Sequence, residues 1–117
     1  MQFKGVHHVS INVRDLEQAL RFYRNVLGLE LLPRPNSSSR GAWLKVGDQQ
    51  LHLIERPGHR SPEGQHFAFH TEDIDAAIAA LERRDVQVTA AKEVLGVCRQ
   101  CLFRDPSGNL LELNEPA

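Results

Sequence analysis

Apolar and polar residues alternate singly near the start of the chain: Val9, Ile11 and Val13 fall on one side, His8, Ser10 and Asn12 on the other. Successive side chains of a strand point to opposite faces, so a strand over residues 4–13 has one apolar and one polar face. The period then changes. Leu16, Ala19, Leu20, Tyr23, Val26 and Leu27 recur at a spacing near 3.6, the stripe of an amphipathic helix. Asp15 is placed to cap this helix, with Gln18 three residues on, and Gly28 to end it. Packing the stripe on Val9, Ile11 and Val13 turns the His8 face away from the helix.

Three further strands follow at residues 29–33, 42–46 and 50–55. A loop of turn formers, RPNSSS, separates the first two, and Gly47-Asp48 marks the turn between the last two. Residues 57–64 have the composition of a linker. The pattern then restarts. In a strand over residues 65–71, Phe67 and Phe69 oppose His66, Ala68 and His70. Asp73 caps a helix with the stripe Ile74, Ala77, Ile78 and Leu81. Strands at 86–90, 97–104 and 109–114 complete the second half, with the turn signal Asp105-Pro106-Ser107-Gly108 before the last.

The halves align by role. His8 and His66 are separated by 58 positions, as are Asp15 and Asp73; His52 and Glu112 are separated by 60. Each of the last two stands between leucines, in LHL and LEL, on the face opposite the apolar pair. An internal repeat of this kind puts His8, His52, His66 and Glu112 at two pairs of equivalent positions, all facing away from the helices. The same polar faces carry Ser10, Asn12, Gln50, His70, Gln100 and Asn114. Cys98 and Cys101 have CxxC spacing, but residues three apart on a strand face opposite sides and cannot close on one ion.

At 117 residues the chain suits one domain with modules at 1–56 and 65–117. A net charge of −1 gives no electrostatic case for nucleic acid or an anionic membrane. No apolar run approaches a membrane span, and no targeting segment is visible at the start, so the cytoplasm is the expected location.

The segments FYRNVLGLEL after HHVSINV, the restart HFAFHTEDIDAAIAAL, and the ending FRDPSGNLLELNE resemble the vicinal-oxygen-chelate superfamily, which holds glyoxalase I, methylmalonyl-CoA epimerase, extradiol dioxygenases and the fosfomycin and bleomycin resistance proteins. The resemblance covers essentially the whole chain. It implies an α+β fold of two tandem βαβββ modules, whose curved mixed sheets form a metal-binding cup with the helices outside. It implies His8, His66 and Glu112 as ligands of a divalent metal, and His52 as a fourth ligand or a catalytic group beside Glu112. It also implies a homodimer.

Two imidazoles and a carboxylate suit Zn, Ni, Mn or Fe and leave positions open for substrate oxygens. The reading that follows is a lyase or isomerase acting on a small oxygenated substrate, with Ser10, Trp43, Gln50, His70, Arg99 and Gln100 as substrate contacts. An Fe(II) extradiol-type dioxygenase is the enzymatic alternative, and a non-catalytic drug-binding or resistance protein the other. Glyoxalase I carries a carboxylate where His52 stands, which leaves Glu112 as the single candidate proton shuttle of that type.

Overall fold

The computed structural model describes residues 1–117 and divides into two compact units, Met1–His59 and Arg60–Ala117. The division falls within the stretch of linker composition. The two units have the same architecture, a four-stranded mixed sheet with one helical segment on its apolar face. The fold class is therefore α+β, with curved, unclosed sheets.

In the first unit β1 (His8–Val13), α1 (Leu16–Leu20), β2 (Glu30–Leu32), β3 (Gly41–Val46) and β4 (Gln49–Glu55) form a sheet of order β1-β4-β3-β2. β1 runs parallel to β4 and the remaining pairs are antiparallel. The second unit repeats this with β5 (His66–His70), α2 (Ile74–Arg83), β6 (Lys92–Val94), β7 (Cys98–Arg104) and β8 (Leu110–Pro116), in the order β5-β8-β7-β6. β5 is the parallel member. Each core lies between helix and sheet: Val13, Leu16, Ala19, Tyr23, Leu44, Leu51 and Leu53 in one unit, Ile74, Leu81, Cys101, Phe103, Leu111 and Leu113 in the other.

Both helices start as the sequence indicates. Asp15 accepts from Gln18 N–H and Asp73 from Ala76 N–H, each at 3.0 Å. A second cap comes from the sheet. Glu55 accepts from Leu16 N–H at 2.9 Å, and its repeat counterpart Glu115 accepts from Ile74 N–H at 3.2 Å. A carboxylate at a helix N-terminus satisfies an orphan donor and meets the positive end of the dipole. Each helix is thereby tied to the last strand of its unit, on the side opposite His52 or Glu112.

Three boundaries depart from the sequence reading. The first strand begins at His8, not residue 4, because its neighbour β4 offers no partner beyond the Gln50 N–H that reaches the His7 carbonyl. The first helix does not keep its 3.6 period. It passes at Arg21 into a π-helical turn, Arg21–Val26, closed by Leu27 N–H on the Phe22 carbonyl. The wider turn buries Phe22 beside Tyr23, their rings 5.1 Å apart and edge to face. Residues 86–90 are not a strand. Thr89 lies against β7, but its hydroxyl takes the bond from Leu102 N–H that a ladder would give to a backbone carbonyl. The edge strand forms instead at Lys92–Val94.

Candidate metal-binding and catalytic faces

In the first unit, strand register gathers the polar face. His8 lies opposite Gln50, Ser10 opposite His52, and Trp43 opposite His52 from the other side. The rings stack in sequence: His8 on His52 with centroids 4.0 Å apart, and His52 on Trp43 at 4.4 Å with planes 7° apart. The His52 Nε2 is 2.8 Å from the Gln50 Oε1, so Nε2 carries the proton and Nδ1 the lone pair. Burial lowers the His52 pKa from its ordinary value, and electrostatic repulsion from neighbouring His8, His7 and Arg34 acts in the same direction. The His7 and His8 rings meet through their Nδ1 atoms at 3.0 Å.

In the second unit, His66 and Glu112 meet. The Nε2 of His66 is 3.1 Å from Glu112 Oε1. The other ring nitrogen, Nδ1, donates to the Gly64 carbonyl at 2.8 Å, and Asn114 donates to Glu112 Oε2 at 2.9 Å. Glu112 is 8% exposed. The backbone bond from Gly64 raises the His66 pKa, burial opposes this, and Glu112 raises it again.

Donation from Nδ1 to a carbonyl fixes the tautomer that presents a lone pair at Nε2, which is how metal-binding histidines are oriented. A lone pair and a carboxylate oxygen 3.1 Å apart require a proton or a cation between them. The donor set therefore fits a divalent metal. Neither unit by itself gathers three His, Cys, Asp or Glu side chains about one point; each supplies a pair.

The turn before β8 sets the position of Glu112. Asp105 is buried, and its carboxylate accepts from Ser107 N–H, Asn109 N–H and the Asn109 side-chain amide, all at 2.9 Å. Gly108 takes φ 83°, a value side chains disfavour. His70 and Gln100 flank Asn114 in register, one from each neighbouring strand, on the Glu112 face.

Arg99 does not join them. It lies on the opposite face of β7 and binds Asp75 of α2 through two bonds of 2.9 Å, with Glu115 at 3.8 Å. Neighbours on a strand cannot share a face, so Gln100 keeps the polar side and Arg99 leaves the set of substrate contacts. Both cysteines are free and buried, and Cys98 alone reaches Gln100. An open groove of the second unit, about 1110 Å³, is lined by Glu82, Val86, Thr89, Leu102 and Pro106 among others, and by neither His66 nor Glu112. Sequence reasoning missed the Gly64 carbonyl, which has no side-chain signal to read.

The family model of the Glyoxalase/Bleomycin resistance protein/Dioxygenase superfamily matches residues 5–113. The chain belongs to this superfamily. Among superfamily relatives, the uncharacterized protein YaeR of Escherichia coli strain K12 is 33% identical over 96% of both chains. Glyoxylase I 4 of Arabidopsis thaliana is 28% identical over 97% of this chain and 71% of its own. The mitochondrial methylmalonyl-CoA epimerase of Bos taurus is 26% identical over 94% of this chain and 73% of its own. Among solved structures, TnmS3, an antibiotic binding protein from Streptomyces sp. CB03234, superposes with a TM-score of 0.84 at 32% identity, covering 100% of this chain and 99% of that one. The superfamily relatives thus include enzymes and a binding protein. No helix is long and apolar enough to cross a membrane.

Proposed function

We propose that this chain is a divalent-metal-dependent lyase or isomerase acting on a small oxygenated substrate. The His66–Glu112 pair carries the reading: a buried carboxylate and an imidazole of fixed tautomer, brought together from strands far apart in sequence. His8 and His52, at the equivalent positions of the first unit, complete the proposed ligand set; Zn, Ni, Mn and Fe all suit it. The glyoxylase and epimerase relatives support an enzyme.

The bound cation would supply Lewis-acid charge, which acidifies a C–H beside a substrate carbonyl. Proton movement falls to the chain itself. Asn114 holds Glu112 Oε2 and His66 meets Oε1, and Glu112 is the carboxylate that would take and return a proton. His52, whose Nε2 is held by Gln50, offers Nδ1 as a second acceptor. Trp43 forms a flat wall beside it, and Ser10 and Gln100 are further substrate contacts on the two polar faces. Such small members pair as homodimers in this reading.

Elemental analysis of gently purified protein tests it. One divalent cation per site, lost in His66→Ala, is expected; protein that holds no metal and regains none on dialysis overturns the proposal. A second reading, sequestration without chemistry, is favoured by TnmS3 and by the stacked surface of His8, His52 and Trp43. Metal-free protein that binds aromatic drugs would select it, and oxygen uptake with catechol would select the Fe(II) dioxygenase.

A further inference from the structure

The loop after β2 places a cation on the polar face of the first unit. β2 pairs with β3 through Leu32 opposite Trp43. Carried two residues further, that register sets Arg34 opposite Gly41, one row from the Trp43–His52 stack and on the same face. Gly41 confirms the placement: a Cβ there would lie 3.0 Å from the Arg34 guanidinium and would also strike the Leu53 carbonyl oxygen. The glycine thus leaves room for the guanidinium to lie over the sheet.

The partners of Arg34 are neutral. Its Nη1 donates to the Ser39 carbonyl at 3.0 Å and its Nη2 to the Ser39 hydroxyl at 3.1 Å. Arg40 and Arg99, by contrast, each face a carboxylate. Two bonds to Ser39 hold the fork in place, and a guanidinium has five N–H donors, so others remain for a ligand. A half-buried, pre-positioned fork without a counter-ion is the donor set that carboxylates and phosphonates match in bidentate fashion.

We infer that Arg34 recognises an oxyanion of the substrate, so that the enzyme proposed above acts on carboxylate- or phosphonate-bearing compounds rather than neutral ones. This rests on the proposed active face, but the test separates the two.

Trp43 is the sole tryptophan, so its fluorescence reports ligands arriving beside His52. Lactate, 2-hydroxyethylphosphonate and neutral propane-1,2-diol are titrated into purified protein of measured metal content. Saturable change with one or both anions at concentrations where the diol gives little is expected; the anion that binds more tightly identifies the group. In Arg34→Gln the anion affinity falls about tenfold or more, the scale of a hydrogen bond to a charged group, while metal content and melting temperature stay as in the parent. Arg34→Lys retains part of the affinity, because the charge remains and the fork is lost.

Equal anion binding by parent and Arg34→Gln overturns the inference, as does a diol that binds as well as the anions. Should Arg34→Gln melt early, Arg34→Lys decides: in a variant of parental melting temperature, anion affinity unchanged from the parent overturns the bidentate contact, and partial loss supports it. Metal-free protein that still binds anions through Arg34 sinks the metalloenzyme reading and leaves this one standing.

Discussion

His66 Nε2 lies 3.1 Å from Glu112 Oε1, although 45 residues intervene between them. The contact follows from the parallel pairing of β5 with β8, which sets Ala68 opposite Glu112 and leaves a small neighbour beside the carboxylate. His66 reaches it along the strand from the adjacent position of the same face.

Glu112→Gln separates ligation from folding. The amide is isosteric, so the melting temperature should shift little, but it cannot supply the anionic oxygen. Bound divalent metal measured by elemental analysis should fall by about tenfold or more, the effect of disturbing a metal's ligands. Parental metal content in this variant would remove Glu112 from the ligand set.

Asp105→Ala should be among the most damaging single changes. It strips the acceptor from three N–H groups in a buried turn, each a bond to a charged group. A loss of about 3 kcal/mol or more in urea denaturation is expected. Asp105→Asn should recover part of it.

Gly41→Ala tests the close approach in β3. The added methyl meets the Leu53 carbonyl, a backbone atom that cannot step aside, and the Arg34 fork. Overpacking of this kind costs about 1–3 kcal/mol, read from the denaturation midpoint. Ala in place of Gly58, where nothing lies within 4 Å, is the neutral control.

Asp75 gives a pH signature. Its hydrogen bonds to Arg99 hold its carboxyl below the ordinary range. A lowered folded pKa means stability present above the unfolded carboxylate value and lost as pH falls through the folded one. The stability difference between the parent and Asp75→Asn should therefore be constant near neutrality and vanish in acid. The pair is exposed, so the difference is small and should shrink with salt.

The thiols should be silent in the native protein. Burial raises the Cys101 pKa, and Cys98 is also enclosed. A colorimetric thiol reagent at pH 8 should modify neither rapidly, and both in denaturant.

Alternation and the repeat made much of this architecture legible. The offset of His8 to His66 announced two equivalent units, and LHL and LEL announced single polar residues on buried strands. Arg99 shows the limit. A charged residue beside Gln100 looks available, and only the position of α2 reveals that Asp75 claims it. Thr89 shows another: its segment reads as a strand, but a hydroxyl that substitutes for a carbonyl is invisible to periodicity. The Glu55 and Glu115 caps were readable in principle, since both stand three residues after the paired site positions. Arg34 was hidden in a run of turn formers, and its register with Gly41 emerges only once β2 is paired.

The π-helical turn at Arg21–Val26 means that this chain holds one spare residue between β1 and β2. Excising a single solvent-facing position such as Arg24 would let the segment relax to ordinary winding. Phe22 and Tyr23 could then no longer both occupy the interior, and β2 would enter the sheet from a rotated start. The surplus therefore acts as a spacer: it meters how the strand leading to Arg34 is delivered, and so ties helix winding to the furnishing of a face it never touches.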